Sequence, residues 1–132
     1  MLLAGEIDAA VSGDRVQPDP RVVPLIPDPD GAARAWREKH GAIQINHMVT
    51  VKASLSRSQP GVVAEVYRLL AESKRLAPPP PAGEADTTPF GLEANRHNLE
   101  VAIDHVHRQG LIPRPSRVDE LFDDVTRALP GA

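Results

Sequence analysis

Apolar and polar positions alternate most clearly between residues 42 and 53. Ile43, Ile45, His47, Val49 and Val51 fall on one face, and Gln44, Asn46, Met48, Thr50 and Lys52 on the other. A period of two with β-branched residues predicts a strand with one buried face. The apolar run Ile7 to Val11 has the length of a second, buried strand. Elsewhere the period is helical. Val62, Val66, Leu69, Ser73 and Leu76, widened by Val63, Tyr67 and Leu70, predict a helix from Ser58 or Gln59 to about Ala77. Pro60 suits its first position and Pro78–Pro81 stops it. Leu92, Leu99, Ile103 and Val106 predict a helix from about Gly91 to Gln109, ended by Gly110. Leu121, Phe122, Val125 and Leu129 predict a last helix that starts near Ser116 and Asp119. Asp30 is placed to cap a helix from Gly31 to Lys39, stopped near Gly41.

The beginning is abrupt. Met1–Ala4 reads as the last turn of a helix, with Gly5 as its stop. One turn cannot stand alone, because nucleation costs more than a single turn returns. A buried parallel strand needs neighbours on both edges. The first twelve residues therefore read as the end of a unit that starts elsewhere. Pro18, Pro20, Pro24, Pro27 and Pro29 make residues 13–30 an extended connection. Residues 78–89 form a proline-rich loop. A few strands with about four helices make an α/β protein.

Composition narrows the function. Leu, Ile, Val and Phe supply 33 of 132 residues, enough for a core, and with four aromatic residues that core is aliphatic. Without cysteine there is no disulfide framework, thiolate metal site or cysteine nucleophile. No apolar run reaches the length of a membrane span. A net charge of −3 argues against a nucleic-acid partner. The charge is uneven: residues 31–81 are net +5, and each flank is net −4. Mixed solvated surfaces account for this; so does a basic middle that helps to hold an anionic ligand.

Two places carry candidate chemistry. His47 lies between Ile45 and Val49 on the apolar strand face. It reads either as a hydrogen-bonded core histidine or as a general acid or base near a cleft. In Gly91-Leu92-Glu93-Ala94-Asn95-Arg96, Asn95 and Arg96 flank the apolar stripe in the first turns of a helix, where backbone N–H groups and the dipole favour an anion. Arg96 reads either as a carboxylate clamp or as half of an internal ion pair, and Glu93 suits a helix start. His97, Glu100 and Asp104 share a helical face; with Arg108 following, a salt-linked surface is the expected use, and no metal is assigned. His105 and His107 point to different sides, and His40 at a helix end complements the dipole.

These residues also carry a resemblance. Leu2 to Ala10 resembles a segment of two-lobed periplasmic solute-binding proteins. Arg34-Ala35-Trp36 through His47-Met48-Val49, Pro89 through Arg96, Gln109-Gly110-Leu111 and Glu120-Leu121-Phe122 resemble, in the same order, the C-terminal part of 4,5-dihydroxyphthalate decarboxylases. Phe90 stands where that family usually has tyrosine, and Gln44 and Asn46 make the His47 segment more polar than usual. The resemblance implies a C-terminal portion of a type II periplasmic-binding-protein-like fold. Residues 1–30 would end the second lobe and cross back, and residues 31–132 would complete the first. It implies a cytoplasmic enzyme of aromatic catabolism that removes carbon dioxide from a small aromatic dicarboxylate without a cofactor. Self-association into a homo-oligomer is compatible with it. On chemistry and position, His47 would transfer the proton, Arg96 would clamp a carboxylate, and Glu93 and Asn95 would orient substrate or histidine. A ligand-binding module of an ABC-type transport system would share the fold, and a truncated chain without activity of its own is a further alternative.

Overall fold

A computed structural model describes residues 1–11 and 19–131. Helices hold 51% of these residues, and no strand or sheet forms among them. The chain divides into two units, Met1–Trp36 and Arg37–Ala132. The single tryptophan is thus the last residue of the first unit, and it is half-buried.

The first unit has no buried residue among those described. Leu2–Ala4 forms one 3-10 turn, closed by Gly5 at φ 72 with its N–H on the Leu2 carbonyl. That is the short terminal turn the sequence predicts. The strand expected at Ile7 to Val11 does not form: the backbone is irregular and Val11 is fully exposed. Asp19 folds back on Arg21, taking its backbone N–H at 2.9 Å and its guanidinium at 2.8 Å. The first long helix, α1 (Pro29–His40), starts earlier than expected. Asp28, not Asp30, accepts the Gly31 N–H at 2.9 Å, which leaves Pro29 at the first helical position, where its missing N–H costs nothing. Gly41 at φ 60 ends it.

In the second unit the predicted strand is the main departure. Residues 43–52 take no regular secondary structure and have no ladder partner among the described residues. Alternation holds at its start, where Ala42 is buried and Ile43 and Ile45 are half-buried, and Ile45 packs against the core. From Asn46 to Lys52 every residue is exposed, His47 included. A strand is stabilised by cross-strand pairs, and no second segment among the described residues supplies them. The α/β expectation is therefore corrected to a helical arrangement for the described residues.

The end of that segment coils into a short helix the sequence reading missed, α2 (Ala53–Ser58). It abuts α3 (Pro60–Leu76) through Gln59, held at φ −140 and ψ 62. Proline disfavours helical backbone in the residue before it, so Pro60 both breaks α2 and opens α3. On α3 only part of the expected stripe is buried. Val63 is buried and Tyr67 and Ala71 are half-buried, whereas Val62, Val66, Leu69 and Leu76 are exposed. The face is chosen by α2 and by α5, both of which pack on α3.

The predicted Gly91–Gln109 helix forms as α4 (Leu92–Arg108). Its Leu92 and Leu99 make the core with Val118, joined by Ile45, Ile103 and Phe122. Asn98, also buried, accepts the Ile43 N–H at 2.8 Å and so ties residues 43–52 to α4. The single last helix of the sequence reading is split. Val118–Leu121 makes a 3-10 turn against α4, Phe122 is extended, and α5 (Asp124–Arg127) follows. Asp123 and Thr126 form a reciprocal capping box at its start. No helix of the described residues is long and apolar enough to cross a membrane.

Two expectations follow. Leu99→Ala removes a side chain only 3% exposed and should cost about 3 kcal/mol in chemical denaturation, whereas Leu69→Ala, at 52% exposure, should stay within about 0.5 kcal/mol. The Asp123 carboxyl is held down to about 2, from an ordinary 3.8, by Ser56 and by the backbone N–H and hydroxyl of Thr126. The Ser56 hydroxyl is fully buried and has no hydrogen bond of full geometry, so the Thr126 bonds, at 2.9 and 2.8 Å, are the firmer anchor. A carboxyl lowered on folding stabilises above its unfolded value, and that contribution should disappear as pH falls from about 4 to about 2. Asp123→Asn, which still caps, should flatten the pH dependence of stability in that window.

Candidate functional site

The Gly91–Arg96 block opens α4. Gly91 has φ 91, a conformation that side chains resist, and lets the chain turn from the proline-rich loop into the helix. Asn95 fixes that turn: its amide donates to the Pro89 carbonyl at 2.7 Å and to the Gly91 carbonyl at 2.9 Å. Asn95 thus orients backbone, and neither bond reaches His47.

Arg96 is the centre of the ionic contacts here. Its Nε and one Nη bind the two Glu93 oxygens at 3.1 and 2.7 Å, a forked pair within one turn. The same Nη binds Asp119 at 3.1 Å, from the 3-10 turn packed on α4. Glu93 and then Asp119 push the Arg96 pKa up; Arg96 in turn holds both carboxyls below their usual range. The Arg96 side chain is still 32% exposed. Asp119 itself is anchored through its carbonyl, which accepts from Arg127 at 3.1 Å, beside the Phe122 carbonyl at 3.0 Å.

Two grooves meet at Arg96. The larger, about 360 Å³, lies between α4 and residues 115–119 and includes Glu100, His107 and Arg117. The smaller, about 170 Å³, lies over the first turn of α4 and includes Phe90, Glu93 and Leu129. His47 lines neither. Exposed in the irregular segment 43–52, it makes no hydrogen bond, ion pair or ring contact with the described residues. The structure therefore brings Glu93, Asn95 and Arg96 together and leaves His47 outside their contacts.

His40, His97 and His105 take structural parts. His97 Nε2 meets the His40 carbonyl at 2.8 Å, and its Nδ1 lies 3.7 Å from Glu100. His40 and His105 stack edge to face with centroids 5.3 Å apart. Asp104 pairs with Arg108 at 3.0 Å, as a salt-linked face requires. Asp119, met in the sequence only as a possible helix start, is the functional neighbour that sequence reasoning missed. No local spacing links it to Arg96, since they are 23 residues apart. Compared with protein-family models and with curated proteins, the chain matches none of them.

Arg96→Gln should let the Glu93 and Asp119 carboxyls rise toward ordinary values. Carbon-detected NMR titration of the side-chain carboxyls measures this directly, with Asp123 expected to stay near 2 as the internal control.

Proposed function

We propose that the chain acts on a dihydroxylated aromatic dicarboxylate, in the manner of the 4,5-dihydroxyphthalate decarboxylases that its sequence resembles. Arg96 carries this reading. It is a guanidinium at the start of a helix, one-third exposed at the meeting of two grooves, and already bound to two carboxylates in the geometry a carboxylate ligand would use. A substrate carboxylate that takes the place of Asp119 keeps the same N–H donor, while Glu93 holds the guanidinium in position. Asn95 sets the turn from which Glu93 and Arg96 project.

In the proposed reaction a ring hydroxyl para to the departing carboxylate pushes electrons into the ring. The ring carbon that bears the carboxylate takes a proton, its bond to the carboxyl carbon breaks, and that electron pair restores the aromatic ring as carbon dioxide leaves. His47, exposed to solvent and therefore able to recharge, is the proposed proton donor. The proposed fold is part of a two-lobed, solute-binding-protein-like architecture. Residues 43–52 support it: their sequence alternates as a strand does, Ile43 and Ile45 on the apolar face are half-buried, and no ladder partner is present among the described residues. In such an architecture that segment would pair with further strands and bring His47 to the cleft.

Incubation with 4,5-dihydroxyphthalate should release carbon dioxide and protocatechuate. Arg96→Ala should lower kcat/KM roughly 100-fold through lost positioning, and His47→Ala by roughly 100-fold or more through lost proton transfer. A folded protein that releases no carbon dioxide would remove the reading, and turnover unchanged in Arg96→Ala would remove its clamp.

A further inference from the structure

We propose that residues Leu129–Gly131 are a strap that closes over the first turn of α4 and restricts access to Arg96 from the smaller of its two grooves. This rests on the reading of Arg96 as the carboxylate clamp and concerns how that site is regulated.

Four contacts place the strap. The Tyr67 hydroxyl, on α3, donates to the Pro130 carbonyl at 2.5 Å. The Tyr67 ring packs edge to face on Phe90, the residue just before the α4 turn, at 5.4 Å. Gly131 lies so close to Gly91 that a Cβ on Gly91 would stand 2.8 Å from the Gly131 Cα and 3.5 Å from the Pro130 carbonyl oxygen. Leu129 and Gly131 form one wall of the smaller groove, and Leu92, Glu93 and Arg96 form another. Two backbones pass here at a separation that leaves no room for a side chain at position 91.

The strap is also light. Pro130 and Gly131 are exposed, and only Leu129 is half-buried. Among the described residues the Tyr67 bond is the only hydrogen bond to residues 129–131. A segment with so few contacts opens at low cost, independently of the Leu99 core. Its root is tied to the same machinery: Arg127, two residues before Leu129, binds the carbonyl of Asp119, whose carboxylate holds Arg96. Opening of the strap and release of Asp119 from Arg96 are thus linked through α5.

The test uses phthalate, which has both carboxylates but lacks the hydroxyl that drives turnover, and follows its binding by calorimetry beside the nitrogen-15 order parameter of the Gly131 amide. Tyr67→Phe keeps the ring packing on Phe90 and removes the latch. It should lower that order parameter and tighten phthalate binding about five-fold, the equivalent of one ordinary hydrogen bond. Pro130→Gly, which loosens the strap without touching α3, should act in the same direction. A lower order parameter at Gly131 with unchanged affinity would overturn the strap as a gate and leave Arg96 as the clamp. An unchanged order parameter in both variants would overturn the latch itself. Arg96→Ala should abolish binding in every background; phthalate bound equally well without Arg96 would overturn the clamp and, with it, the gate.

Discussion

The seam of α4 is the constraint on which the second unit depends. Leu92 and Leu99, two turns apart, receive Val118 and Phe122 from one side and Ile45 from another. With so few buried apolar side chains, each is a large share of what holds the unit together. The buried Asn98, whose side-chain oxygen accepts the Ile43 N–H, adds the polar tie that sets where residues 43–52 depart. The same helix presents Glu93 and Arg96 from its first turns. The packing that fixes Leu92 therefore also fixes the ionic centre one turn further on.

Element ends were legible because their causes are local. Gly5, Gly41, Gly91 and Gly110 all take positive φ where the chain turns, and Pro60 opens α3 where the spacing predicts it. What required a partner was not legible. Alternation in residues 43–52 is a true pattern, but a strand also needs a neighbour, and here the segment stays single. On α3 the predicted stripe runs from Val62 and Val63 to Leu76; contacts with α2 and α5 bury only its Val63 and Tyr67 side. The final helix failed at Phe122, which turns its ring to the α4 core and leaves helical backbone to do so.

The candidate site divides in the same way. Glu93, Asn95 and Arg96 sit within one and a half turns of a helix, so spacing alone predicts that they act together. Of the two readings of Arg96, the contacts with Glu93 and Asp119 show the internal ion pair; the carboxylate clamp is a proposal. Asp119 and the Tyr67–Phe90–Pro130 cluster depend on long-range packing and left no local signal. His47 shares the apolar face of Ile43 and Ile45; without a sheet, only the start of that face is half-buried, and His47 lies in the exposed remainder.

The position of the lone indole has a practical bearing on any unfolding study. Trp36 closes the first unit, whereas the Leu99 core lies wholly within the second. Intrinsic emission therefore reports on the surroundings of α1, while far-ultraviolet dichroism is dominated by α3 and α4. Melting curves from the two probes coincide only if both units lose structure as one cooperative body, so a gap between them measures the independence of the units directly.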